Sequence, residues 1–132
     1  MNAEALTRTL LFVDDSSFFR NMLSPVLKAA GYDVTTVGGG EEAIALLKKT
    51  PRFDIIVSDI EMPGMNGFDL AEAVRGDPKT AHVPIIALSS MTTPAAIERG
   101  RQAGFRDFVA KFDRQGLIAA LKDSVVELDQ AA

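Results

Sequence analysis

The 132-residue chain has no cysteine, so neither a disulfide framework nor a thiolate metal site is available to it. Its one histidine, His82, sits in a polar stretch without partners and reads as a solvated side chain. No apolar run approaches the length of a membrane span, and Met1 to Glu4 lack the basic and apolar regions of a signal peptide. These absences lead us to expect a cytoplasmic protein without membrane insertion. A basic excess is missing too: the net charge is -4 and the pI near 4.9, which disfavours direct binding to nucleic acid. No low-complexity linker or internal repeat divides the chain. A single domain over residues 1–132, with its core at about 9–128, is therefore expected.

What the chain does contain is an alternation of short apolar runs and longer amphipathic ones. Leu10 to Val13 read as a strand, followed by a helix with Phe19, Met22, Leu23, Val26, Leu27 and Ala30 at core spacing and closed by Gly31. A second strand at about Asp33 to Val37 leads through Gly38 to Gly40, read as a flexible turn, into a helix with Ala43, Leu46 and Leu47 inward. Pro51 separates that helix from a third strand, Ile55 to Ser58. Asn66 can cap a helix ending near Gly76, Val83 to Leu88 form a fourth strand, and Pro94 after Thr93 fits the first turn of a fourth helix. A short fifth strand, about Asp107 to Ala110, precedes a last helix that starts near Asp113 and buries Leu117, Ile118, Leu121, Val125 and Leu128. Five strands alternating with five helices imply an α/β fold, a doubly wound parallel sheet with helices on both faces.

In such sheets ligands sit beyond the carboxyl ends of the strands, where strand order reverses. Strand one ends in Asp14 and Asp15, strand three in Asp59, strand four in Ser89 and Ser90, and strand five in Lys111. Carboxylates about 4 to 6 Å apart repel by roughly 4 kcal/mol per close pair at an effective dielectric near 20, so such a cluster calls for protons or a cation. Oxygen-only ligands favour a hard ion, Mg2+ by default. A metal, a lysine and a hydroxyl around one carboxylate are the equipment for phosphoryl transfer, with Asp59 as attacking group. The loop after Asp59, tightened by Pro63, Gly64 and Gly67, can turn a backbone carbonyl toward the metal. Met62 and Met65 read as packing residues of that loop.

The segments VDD at 13–15, SDIEMPGMNG at 58–67, ALSS at 87–90 and VAK at 109–111 together resemble the receiver domain of two-component response regulators, over nearly the whole chain. The resemblance implies a flavodoxin-like sheet of order 2-1-3-4-5. It implies that Asp59 takes a phosphoryl group from the phosphohistidine of a histidine kinase or histidine phosphotransfer domain. It assigns Mg2+ to Asp15, Asp59 and the carbonyl of Glu61, with Asp14 assisting, and conformational switching to Ser89 and Phe108. Such a domain catalyses only its own phosphorylation and dephosphorylation. Where the family usually has Lys-Pro, often with a cis bond, this chain has Lys111-Phe112. The stretches SSFFR at 16–20, SDIEMPGMNGF at 58–68 and AKFDRQGL at 110–117 resemble the receiver of hybrid chemotaxis histidine kinases; a stand-alone regulator or phosphate sink is the alternative.

Plainer readings exist for each piece. Asp14 and Asp15 could merely complement a helix dipole, Lys111 could be a surface lysine, Ser89 a loop hydroxyl and Phe108 core packing. Phe18 lies one position off the core stripe, at about 100° per residue. It could contact a partner helix carrying the donor histidine, or pack under a neighbouring loop. A haloacid-dehalogenase-type phosphatase also uses an aspartate nucleophile, but at the end of the first strand and with an acid two residues on. An FMN-binding flavodoxin needs a hydroxyl- and glycine-rich first loop, where this chain puts two carboxylates.

Overall fold

Leu10 to Val13 carry only apolar side chains and are fully buried, forming the centre of β1 (Arg8–Val13) in the computed structural model, which describes residues 7–50 and 52–131. β2 (Tyr32–Val37), β3 (Ile55–Asp59), β4 (Ile85–Ser89) and β5 (Asp107–Ala110) join it in one parallel sheet of order β2-β1-β3-β4-β5. This is the flavodoxin-like order that the sequence resemblance implies. Five helices connect and follow the strands: α1 (Ser17–Ala29), α2 (Gly40–Lys49), α3 (Gly67–Gly76), α4 (Pro94–Ala103) and α5 (Arg114–Ala131).

Strand periodicity divides the core in two, because successive side chains point to opposite faces. Leu11, Val13, Ile56, Ile85 and Ala87 face one layer, with Ala43 and Leu47 of α2, Leu70, Ala71 and Val74 of α3 and Ala103 of α4. Leu10, Phe12, Ile55, Val57, Ile86 and Leu88 face the other, with Phe19, Leu23 and Leu27 of α1 and Leu117, Ala120 and Leu121 of α5. Since β1 pairs with β2 on one side and β3 on the other, the order reverses between β1 and β3. Their carboxyl ends therefore open a crevice.

Helix boundaries follow local chemistry. Asn66 and Asp69 form a reciprocal capping box at the start of α3, and Thr93 caps α4 ahead of Pro94. Gly31 follows the end of α1 as expected, donating its N–H to the Lys28 carbonyl. Four expectations are corrected. β2 is not an apolar run: Asp33, Thr35 and Thr36 are exposed, because it is an edge strand. Ala30 is exposed, since α1 ends before it. Gly38 to Gly40 lead directly into α2, with Gly40 buried so closely under Met65 that an added Cβ would lie 2.8 Å from its Cγ. β4 starts at Ile85 rather than Val83, whose N–H turns back to the Thr80 carbonyl. Pro51 and the first residues, Met1 to Glu4, lie outside the described residues.

Candidate functional site

The backbone N–H of Asp14 donates to the Val37 carbonyl at 3.2 Å, extending the β1–β2 ladder by one residue and setting Asp14 at the lip of the crevice. Helix capping does not occupy the two acids. Ser16 caps α1, its Oγ accepting the Phe19 N–H at 3.2 Å, and the first turn holds no acidic residue. Asp14 is fully buried; its Oδ1 accepts the Ser16 N–H at 2.9 Å, and Arg20 Nη1 donates to its carbonyl at 2.5 Å. Its Oδ2 is buried without a hydrogen bond, with the ammonium of Lys111 at 3.2 Å as counter-charge. Asp15, next in the chain, is exposed at the mouth.

Asp59 ends β3 and is 4% exposed. One carboxylate oxygen accepts the Ile60 N–H at 2.8 Å and the other faces Lys111 Nζ at 3.4 Å. Burial, reinforced by the negative charge of Asp14, raises its pKa to about 6, against the opposing pull of Lys111 and of the Ile60 N–H. At Lys111, burial works to lower the pKa, but Asp59 and Asp14 outweigh it and the value is raised. Asp14, Asp15 and Asp59 each bring a carboxylate oxygen to within 4.8 Å of the others. The three acids and Lys111 thus meet in one crevice rather than standing apart on the surface.

The loop after Asp59 has a steric explanation. Ile60 and Met62 turn into the core, at 6% and 7% exposure, which forces the chain to double back. Gly64 takes a φ of 70°, and the N–H of Gly67 donates to the Ile60 carbonyl at 2.8 Å. A Cβ at Gly67 would lie 2.4 Å from the Asp59 carbonyl oxygen, so only glycine lets the loop close against the strand end. Glu61 is exposed at the rim, its carboxylate accepting the Ser90 hydroxyl at 3.2 Å.

Ser89 ends β4, buried, and its Oγ accepts the Met91 N–H at 3.0 Å while its carbonyl accepts the Lys111 N–H at 3.0 Å. That last bond anchors β5 so that Lys111 reaches across to Asp59. Phe108 is half-buried against α4, where a Cβ on Gly100 would lie 2.8 Å from its ring. Phe18 is 76% exposed, which overturns the reading that it packs under a loop. The sequence reading did not single out Phe112 or the contact of Phe19 with the site. Phe112 is 77% exposed and edge-on to Phe19, and Lys111 Nζ lies 4.5 Å from the centre of the Phe19 ring. The only signal for Phe112 was the departure from Lys-Pro. The Lys111–Phe112 bond is trans, as no cis peptide occurs among the described residues.

A parallel sheet of this order, with an acid cluster and a lysine at its switch point, defines the chemotaxis-regulator type of flavodoxin-like fold. Residues 10–122 match the family model of the response regulator receiver domain, and the chain belongs to that family. It is 33% identical over 117 residues to the two-component response regulator ORR3 of Oryza sativa subsp. indica, covering 89% of each. It is similar in structure to the Vibrio cholerae chemotaxis protein CheY4, with a TM-score of 0.83 at 37% identity over 89% of this chain and 98% of that one. The receiver domain of the Pseudomonas aeruginosa sensor histidine kinase PA1611, solved with a magnesium ion in its active-site cleft, superposes with a TM-score of 0.82 at 29% identity, over 90% of this chain and 98% of that one. Among the described residues, no helix is long and apolar enough to cross a membrane.

Proposed function

We propose that the chain is a single receiver domain in which Asp59 accepts a phosphoryl group from a phosphohistidine. The observation that carries this reading is the convergence of three carboxylates within 4.8 Å, with Lys111 Nζ 3.4 Å from the outer oxygen of Asp59. A carboxylate oxygen of Asp59 attacks phosphorus, the P–N bond of the donor breaks, and its electron pair returns to the imidazole nitrogen. Lys111 neutralises charge on the transferring oxygens. The Oδ2 of Asp14, buried without a hydrogen bond and facing the Lys111 ammonium, and an all-oxygen donor set fit a hard cation. Asp15, Asp59 and the Glu61 carbonyl would hold Mg2+ with Asp14 beside them, and the ion when bound supplies charge neutralisation at the phosphoryl group.

Ser89 and Phe108 are the switching pair of this reading. The Ser89 hydroxyl oxygen accepts the Met91 N–H, which leaves its own proton free to be donated to a phosphoryl oxygen. Phe108 rests on Gly100, so any turn of its ring is felt by α4. Having no phenolic oxygen, it moves between burial states without losing a hydroxyl hydrogen bond. Phe18 and Phe112, exposed near the Asp15 and Lys111 ends of the crevice, offer apolar contacts to the helix that bears the donor histidine.

The domain is read as the receiver of a hybrid chemotaxis histidine kinase, supported by its stretches 16–20, 58–68 and 110–117 and by its likeness to the PA1611 receiver and to CheY4. A stand-alone regulator or phosphate sink is the second reading, favoured by the 89% of ORR3 that the chain spans. Extending the reading frame upstream in the genome separates the two. The phosphorylation reading is tested by intact-mass analysis after incubation with acetyl phosphate. One phosphoryl group should appear with Mg2+ and be absent in EDTA and in Asp59→Asn; an adduct that survives in either overturns it.

A further inference from the structure

Phe19 is 4% exposed and belongs to the α1 core stripe, so packing alone would account for its presence. Its ring has a second neighbour of another kind. The ammonium of Lys111 sits 4.5 Å from the ring centre, inside the range in which a cation is drawn to an aromatic face. The ring is also held by two others: Phe12 at 6.2 Å and 68°, and Phe112 at 6.0 Å and 88°. Both are edge contacts, which the aromatic quadrupole favours. Any displacement of Phe19 from Lys111 therefore also changes its contacts with Phe12 and Phe112.

We infer that Phe19 is a positioning residue, whose π face keeps the Lys111 ammonium beside Asp59 while the charges around it change. The inference rests on the phosphoryl-acceptor reading and deepens it. At rest, Nζ is shared between Asp14 Oδ2 at 3.2 Å and Asp59 Oδ2 at 3.4 Å. Both carboxylates would change their surroundings in the reaction: Asp59 would become an acyl phosphate, and Asp14 would lie beside the Mg2+ that the acids would hold. The competing position for the ammonium is water, since the Lys111 side chain is 17% exposed. The ring quadrupole is permanent and is not consumed at any stage. A partly desolvated contact of this kind is worth about 5-fold to 30-fold in the population of the held position.

The test replaces Phe19 by 4-fluoro-, 3,5-difluoro- and 3,4,5-trifluorophenylalanine, which withdraw density from the ring face with little change of shape. The same series at Phe12, a fully buried ring in edge contact with Phe19, is the control. Three quantities are read: the rate of labelling by acetyl phosphate in Mg2+, the thermal midpoint, and the NMR shift of the Lys111 ε-methylene protons. The rate should fall with each fluorine at position 19, by about 5-fold to 30-fold across the series, without a matching fall in midpoint and without a parallel in the Phe12 series. In the unsubstituted protein the ε protons should resonate upfield through the ring current, and stay there when beryllofluoride is added. An unshifted Lys111 signal, a flat rate series, or a decline that tracks the midpoint or the Phe12 series overturns the inference. Labelling at Asp59 with a flat series overturns it alone; no labelling at Asp59 in the unsubstituted protein overturns the phosphoryl-acceptor reading with it.

Discussion

Asp59→Asn should make the Mg2+-free protein more stable at neutral pH. The native Asp59 carboxyl has a pKa of about 6, against an ordinary value of 3.8. The folded state thus binds the proton more tightly than the unfolded state, and stability must fall as pH rises from about 4 through about 6, then level off. Roughly two pKa units correspond to about 3 kcal/mol as a ceiling, and water at the mouth of the crevice reduces this to about 1 to 2 kcal/mol. Asparagine removes the charge while its Oδ1 can still accept the Ile60 N–H, and Lys111 keeps Asp14 as a partner. Urea unfolding in EDTA between pH 4 and 8 measures the difference. It should be near zero at pH 4 and reach its full value by about pH 7. Saturating Mg2+ should then narrow the gap, because a ligand at a hundredfold excess over its Kd adds about 2.7 kcal/mol to the state that binds it. A variant no more stable than the parent at pH 7.5, or a gain independent of pH, would refute the argument that burial and the Asp14 charge set the energetics of this carboxylate.

Lys111→Ala should retain the fold, since the ammonium partners two carboxylates rather than filling the core, while labelling by acetyl phosphate or the conformational response to it is impaired; normal phosphorylation together with normal NMR changes at Phe108 would remove its role. Gly67→Ala should cost roughly 2 to 4 kcal/mol in urea unfolding and displace Asp59, because the new Cβ meets the Asp59 carbonyl at 2.4 Å and a backbone cannot yield as a flexible side chain can. A loss under about 0.5 kcal/mol would show that the loop does not need glycine there. Phe18→Ala should change stability by no more than about 0.5 kcal/mol, as befits a side chain 76% exposed, and leave acetyl-phosphate labelling intact while slowing transfer from a phosphohistidine protein. Unchanged transfer would end the docking role.

Much of the fold was legible because its signals are local. Apolar runs bounded by glycine and proline marked the strands, the Asn66 and Thr93 caps marked helix starts, and the approximate bounds read for β5 match the strand. Alternation of strand and helix implied a parallel sheet, and strand ends at Asp14, Asp59 and Lys111 pointed to one crevice. β2 was misjudged because edge position is a property of sheet order rather than of a strand's own residues, and Asp33, Thr35 and Thr36 can face water only there. Side-chain pairing across the sheet was equally out of reach. Phe19 has the spacing of a core residue, and only the approach of β5 to α1 puts the Lys111 ammonium against its ring and Phe112 at its edge. Gly67 could be read as a turn residue, but the reason it must be glycine is the 2.4 Å between an absent Cβ and a carbonyl eight positions earlier, which exists only once the loop has closed. The raised pKa of Asp59 belongs to the same category. An aspartate has an ordinary carboxyl until a fold removes its water and sets a second carboxylate beside it, and here the paired ends of β1 and β3 set Asp14 beside Asp59.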